Sequence, residues 1–361
     1  GTYKNGACVI HLDLSHPDAE EFVDASRQEL PWVKKCLDVT PEVWNETPLP
    51  LRAKILRGIQ AGDIWLSKIK HDQNGERIYS NVCLEIYLPS RGTCLLEHVN
   101  LGQCEIDGIV PAFAEGMSNL CSLHSKTGVG ATGEYLAPEE DKQVGLGVLG
   151  LANLLRRYGV SYAAFGEALR FVNEDNWYAD WSPALCLALE FACAIAGAAN
   201  IARANGMARA FTIAPTASCS YNYKDLDGFT TTPEIAPPIS RQVDRDSGTF
   251  GVQSYDYGDV EIASEVGWEA YKSVADGICQ LFTDTGLFHG YSFNSWSDVV
   301  TYDQAFIEDW FNSPQTSLYY ALQVMPDTLR KDDASAILDE SYADLFNFED
   351  LEDAFCSSCA E

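Results

Sequence analysis

Basic side chains are scarce in this chain. Lys and Arg number 24 against 53 Asp and Glu, a formal charge of −29 over 361 residues. Phosphate backbones are gripped by clustered cations, so this balance excludes a broad nucleic-acid-binding face. It leaves open a nucleotide held in a pocket by backbone amides. A long, uniformly apolar run is also missing. The richest stretch, Pro183 to Ala202, carries Glu190 and many alanines and runs straight into Arg203. A buried helix, not a membrane span, is expected there. No targeting segment and no internal repeat is visible.

Twelve cysteines are present, irregularly spaced. No dense disulfide framework is implied, and a reducing cytosol is the expected setting. Most, such as Cys186 and Cys193, are expected to be small buried hydrophobes. With 46% hydrophobic residues and 11% aromatics the chain is globular, large enough for one or two domains. It opens without Met, at Gly1-Thr2-Tyr3-Lys4-Asn5-Gly6-Ala7, which reads as a loop feeding a strand and suggests a piece of a longer polypeptide.

Strands separated by helices argue for an α/β class. A strand is expected over 8–14, then a helix opened by Pro17. Residues 50–70 and 138–159 read as helices, Ser182-Pro183 starts a long apolar helix that finishes before Gly206, 208–214 reads as a short strand, and 263–284 and 303–312 as helices. Residues 220–260 read mostly as loop. From Asp332 to Glu361 there are ten acids and no Lys or Arg, an acidic tail.

Four short segments carry chemistry. Asn81, Cys83 and Glu85 alternate along a strand-like run, Ser80 to Ile86. On an extended backbone they would share one face, with Cys94 eleven residues beyond Cys83. Alone, the triplet is more economically read as a strand with one buried thiol. Phe211 to Ser220 reads as a strand delivering a turn of small hydroxyl residues, Pro215-Thr216-Ala217-Ser218-Cys219-Ser220. Such a turn lets backbone N–H groups approach an anion, although an ordinary Ser/Thr turn is the blander alternative. Cys356-Ser357-Ser358-Cys359 is a CxxC pair. Zinc would need two more ligands and none lies near, so thiol–disulfide exchange is favoured. Tyr319-Tyr320 is either a core pair or a set of oxidisable phenols. Gly145-Leu146-Gly147-Val148-Leu149-Gly150 matches the dinucleotide fingerprint as letters, but no buried strand is expected before it. Its glycines read as close-packing positions.

In order and spacing these segments resemble the large catalytic subunit of ribonucleotide reductase, over nearly the whole chain. Asn81-Val82-Cys83-Leu84-Glu85 is similar to the family's Asn-x-Cys-x-Glu signature, and Ala214-Pro215-Thr216-Ala217-Ser218 to its substrate-phosphate loop. Val144 to Ala152 is similar to a family helix. Leu318-Tyr319-Tyr320 and the terminal CxxC resemble the tyrosine pair and shuttle cysteines of the metal-radical-dependent class. The resemblance implies a ten-stranded α/β barrel, residues 1–325, with a central finger loop carrying Cys83, and a tail, 326–361. It implies that Cys83 forms a thiyl radical, that Glu85 is the general base and that Asn81 holds substrate hydroxyls. Cys94 would be one reducing cysteine, recharged by Cys356 and Cys359. Tyr319 and Tyr320 would pass the oxidising equivalent, and Pro215, Thr216, Ala217, Ser218 and Ser220 would hold the diphosphate. Lys4, Asn5 and Gly6 fall where the family has its specificity loop.

The implied substrate is a ribonucleoside diphosphate and the implied reductant is thioredoxin or glutaredoxin. The radical would come from a small, metal-containing beta subunit, with no cofactor and no metal bound in this chain. dNTP or ATP effectors, a homo-oligomer and a cytoplasmic setting are also implied, with no nucleic acid and no membrane. The family's other reducing cysteine and its effector pocket lie upstream of the segment matched here. The N-terminal portion of the same subunit is therefore an expected partner, without which no turnover is expected. A cobalamin-dependent reductase of the same superfamily, which would not need Tyr319-Tyr320, and a catalytically inactive nucleotide-binding or assembly fragment are the alternatives.

Overall fold

The computed structural model describes residues 8–26, 33–127, 132–174, 181–246 and 251–326. Two four-stranded sheets organise them. In the first, Cys8–Asp13, Val33–Val39 and Ile64–Lys68 run parallel, and the short strand Ser317–Leu318 pairs antiparallel with the last of these. In the second, Leu96–Asn100, Gln143–Leu149, Arg209–Ile213 and Phe288–Tyr291 lie side by side, all parallel. Neither sheet closes on itself among the described residues. The mixed α/β class expected from the sequence is thus present, and a ten-stranded barrel is not what these strands form by themselves.

Parallel strands need long crossovers, and helices supply them. Ile109–His124 follows the first strand of the second sheet, Tyr162–Asn173 and Pro183–Ala204 follow the second, and Trp268–Asp284 precedes the last. All seven residues of Gln143–Leu149 and all five of Arg209–Ile213 are buried, as expected of central strands covered on both faces. Along Arg209–Ile213 the side chains alternate. Phe211 stacks on Phe282 of the helix Trp268–Asp284 at 4.8 Å, whereas Thr212 points the other way, to Glu85. One face of the sheet therefore takes the helices and the other takes the Cys83 segment.

The long apolar helix, Pro183–Ala204, begins where expected. Ser182 caps it through its side-chain oxygen, which accepts from Leu185 N at 3.2 Å, and Pro183 occupies the first turn. It is long and apolar enough to cross a membrane, yet half of its most apolar window is buried inside the fold. Leu187, Phe191, Ala194 and Ala198 form its buried stripe. Cys186 and Cys193 share a helical phase seven residues apart and miss that stripe, so Cys186 is half-buried and Cys193 exposed, contrary to expectation.

Two other expectations fail for local reasons. The run 50–70 is helical only over Leu49–Gln60, and Gly62 at φ 70° turns the chain into the strand Ile64–Lys68. The run 138–159 is the strand Gln143–Leu149 followed by the helix Leu151–Arg157, joined at Gly150 with φ 81°. The close-packing reading of its glycines holds on that strand. A Cβ on Gly145 would lie 2.5 Å from both Leu96 and Thr212 side chains, and one on Gly147 would meet Thr212 O at 2.1 Å. Residues 220–260 are mostly loop, as expected, apart from the hairpin of Gln242–Asp246 with Val252–Asp256.

Candidate active site

The segment Asn81 to Ile86 is not a strand. It is the irregular tip between the paired strands Arg77–Ser80 and Tyr87–Leu88. Leu84 N bonds to Asn81 O at 3.0 Å, and Leu84 adopts φ 60°, a left-handed conformation that is costly for a branched residue. Strict alternation is therefore lost, and side-chain bonding assembles the group instead. Asn81 Oδ1 accepts from Glu85 N at 3.1 Å and Ile86 N at 3.3 Å, and its Nδ2 donates to Glu85 Oε1 at 2.8 Å and to Cys94 Sγ at 3.4 Å. Asn81 thus clamps the tip and joins Glu85 to Cys94.

Three consecutive carbonyls of this tip accept hydrogen bonds from hydroxyls on three separate segments. Ser292 Oγ donates to Cys83 O at 2.6 Å and Thr212 Oγ1 to Glu85 O at 2.7 Å, while Ser317 Oγ, whose closer acceptor is Tyr291 O at 2.8 Å, shares its proton with Leu84 O at 3.3 Å. Thr212 stands three residues before Pro215, so the tip rests against the strand that delivers the hydroxyl-rich turn. Gly290 makes the contact possible, because a Cβ there would lie 2.2 Å from Glu85 O. Gly290→Ala is expected to push the tip off the sheet and to destabilise the protein by about 1–3 kcal/mol. A denaturant midpoint measures it, and an unchanged midpoint would contradict the tight fit.

Glu85 is 3% exposed, and its Oε2 has no hydrogen-bond partner among the described residues. Burial pushes its carboxyl pKa up to about 7, partly opposed by the Asn81 amide. Such a group exchanges a proton near neutral pH. Cys94 is surface-exposed as a residue. Desolvation of its sulfur, with the Glu85 charge nearby, raises its thiol pKa.

On its other side the tip meets aromatic rings. Cys83 and Leu84 pack in a small cluster with Cys36, Trp65, Tyr319 and Tyr320. The Tyr319 and Tyr320 ring centroids are 4.4 Å apart, and Trp65 lies 4.5 Å from Tyr319 and 5.0 Å from Tyr320. Pairing of Ser317 and Leu318 with Ser67 and Leu66 sets this arrangement.

In the turn after Arg209–Ile213, Thr216 is buried and its Oγ1 accepts from Glu234 N at 2.8 Å. Ser220 is buried with its hydroxyl donated to Ala217 O at 2.8 Å, so it shapes the turn from within. Pro215, Ala217 and Ser218 are half-buried and Cys219 is exposed. Lys4, Asn5, Gly6, Cys356 and Cys359 lie outside the described residues.

One group of side chains among the described residues could hold a metal by proximity. His11, Cys36 and Asp38 offer ligand atoms within 4.8 Å of one another. Asp38 is already engaged by His11 Nδ1 at 2.9 Å and by the Arg77 guanidinium at 3.1 Å, and that fixed cation opposes a second one.

Thr212, Ser292, Ser317, Gly290 and Trp65 had no signal in the sequence. A hydroxyl aimed at a distant carbonyl follows no spacing rule, and a glycine required by close approach looks like any other.

Among solved structures the chain is similar to the Actinobacillus ureae class Id ribonucleotide reductase alpha subunit, with a TM-score of 0.58 and 16% identity over 90% of this chain and 72% of that one. The likeness is one of fold. No protein-family model and no curated protein matches the sequence.

Proposed function

We propose that this chain carries out ribonucleotide reduction, as the catalytic part of a metal-radical-dependent ribonucleoside diphosphate reductase. The observation that carries the reading is the tip Asn81–Glu85. It carries Cys83, packed in the cluster that contains Tyr319 and Tyr320, two residues before a buried carboxylate with an open oxygen, and it rests on the strand that leads to the hydroxyl-rich turn. The fold likeness to a ribonucleotide reductase alpha subunit supports it. The two parallel sheets would be parts of the ten-stranded barrel that the resemblance implies.

In this reading the Cys83 thiol loses a hydrogen atom through Tyr320 and Tyr319 to a radical-bearing metal subunit. The Cys83 thiyl then takes the 3′ hydrogen of the ribose. Glu85 Oε2 accepts the 3′-hydroxyl proton, and the 2′-hydroxyl leaves as water. A cysteine pair including Cys94 supplies two electrons and becomes a disulfide, and Cys83 returns the 3′ hydrogen. The net change is one ribonucleotide and one dithiol to one deoxyribonucleotide, water and one disulfide. Cys356 and Cys359 would reopen that disulfide by exchange with thioredoxin or glutaredoxin. Lys4 to Gly6 would sense dNTP or ATP effectors, and the setting would be cytoplasmic.

In this reading Asn81, which would hold substrate hydroxyls, also positions the base and the reducing thiol through its bonds to Glu85, Ile86 and Cys94.

The test is deoxynucleotide formation by the assembled enzyme with a dithiol reductant. Cys83→Ser is expected to abolish it while substrate still binds. Turnover by Cys83→Ser would end the thiyl proposal. Binding without turnover by the wild type, all partners supplied, would favour an inactive nucleotide-binding fragment.

A further inference from the structure

Behind the turn Pro215 to Ser220 lies a second buried carboxyl group that the reaction above does not use. Glu234 is 7% exposed and sits at φ 36°, a backbone conformation that a Glu occupies only when its surroundings hold it. Its main chain is fastened at both ends. The N–H donates to Thr216 Oγ1 at 2.8 Å, and the carbonyl accepts from Leu151 N at 3.4 Å. Since Thr216 Oγ1 accepts in this bond, its own proton is left to serve another acceptor.

The carboxyl group faces phenols. Tyr291 of strand Phe288–Tyr291 hydrogen-bonds to it, and the Tyr291 and Tyr271 hydroxyls are 2.7 Å apart. Tyr162 stands on the adjoining helix, its hydroxyl donated to Ile235 O at 3.1 Å. Beyond these first neighbours lie Glu261, whose Oε2 accepts from Tyr162 N at 2.8 Å, and the buried Cys279 beside Tyr271. No Lys, Arg or His pairs with Glu234 among the described residues, and its Oε2 has no hydrogen-bond partner there. Burial pushes its pKa up to about 8. The phenols are themselves raised, so Glu234 is the group in this pocket that changes charge near neutral pH.

We propose that Glu234 is a positioning residue: as a neutral acid it holds the Pro215–Ser220 turn in the form that takes a diphosphate, so that proton binding at Glu234 and diphosphate binding favour each other. This rests on the assignment of that turn to the substrate diphosphate. The physical cause is charge. A carboxylate in this cage, on the residue whose backbone N–H bonds to Thr216, would repel an arriving anion with little water to screen it. Coupling of two binding events is reciprocal.

The experiment measures the affinity of the full chain for cytidine diphosphate and for inorganic pyrophosphate by calorimetry, in wild type and Glu234→Gln. Between about pH 7 and about pH 9.5 the wild-type Kd is expected to rise roughly threefold or more. In the Gln variant, which cannot ionise at this position, that rise should be absent. Subtracting the two profiles removes the titration of Glu85 and of other groups. Carboxyl-carbon NMR of the wild type is the second readout, with the Glu234 signal assigned by its loss in the variant. At saturating cytidine diphosphate Glu234 is expected to titrate at a higher pH than in the free protein.

Binding with the same pH profile in both proteins would overturn the role of Glu234 and leave the turn assignment standing. Absence of binding by either probe at every pH would overturn the turn assignment and this inference with it. If Glu234→Gln does not fold, the signal can be assigned by selective labelling, and an unmoved Glu234 titration on ligand saturation overturns the inference by itself.

Discussion

Glu85→Gln is expected to lower deoxynucleotide formation by roughly 10²–10⁴-fold without dislodging the tip. Gln keeps the oxygen that accepts from Asn81 and the backbone bonds on either side of it. It lacks the basic lone pair that the open Oε2 of Glu85 offers. In the wild type, the acid limb of the pH–rate profile should fall at about 7, the value to which burial raises this carboxyl. Activity is present above that pH, where the group is ionised, and is lost as pH falls through it.

Stability runs the opposite way. Between the ordinary 4.5 and about 7 the folded state holds a proton at Glu85 that the unfolded chain has released. This group's contribution to stability is therefore full below about 4.5 and declines as pH rises to about 7. The total is on the order of 3 kcal/mol. The Gln variant lacks that decline. Urea midpoints of the two proteins at about pH 5 and about pH 8 measure the difference. A variant with near-normal turnover, or with an unchanged acid limb, would remove Glu85 from the reaction.

Tyr320→Phe is the second large effect. In the metal-radical reading the phenol must give up and regain a hydrogen atom, which a phenyl ring cannot do. Turnover should therefore fall by roughly 10³-fold or more, about 4 kcal/mol of barrier. The ring keeps its place 4.4 Å from Tyr319 and 5.0 Å from Trp65, so the thermal midpoint should change little. A cobalamin-dependent enzyme would tolerate the change, since its radical would not travel through this pair. Turnover close to wild type would therefore reject the aromatic route and favour that alternative.

The sequence made the long-range company of residues legible and left their local shape hidden. Asn81 and Glu85 do meet, but alternation on a strand is the wrong reason. Leu84 at φ 60° breaks the alternation, and the Asn81 side chain replaces it with four hydrogen bonds. Tyr319 and Tyr320 were legible as a pair. Their contact with Trp65 depends on strand pairing across some 250 residues, which no local pattern encodes. The strand Gln143–Leu149 reads as helix because an acidic approach and Arg156-Arg157 beyond it resemble the two ends of one. Its two slots for Leu96, Thr212 and His98 are properties of the neighbours. The helix Pro183–Ala204 was legible because its Ser-Pro start and apolar content are local. Glu234 carried no signal, because a lone acid in a Thr- and Pro-rich loop is ordinary until its phenol cage is seen.

The three hydroxyl fasteners on Cys83, Leu84 and Glu85 have a mechanical consequence. Each comes from a different rigid segment, so the sulfur takes its coordinates from the frame and not from the ribbon that carries it. The outer turn of that ribbon, Asp72 to Glu76, could be recut in length or composition while the reactive atom stays put. Removal of any one fastener would leave two others to hold the seat.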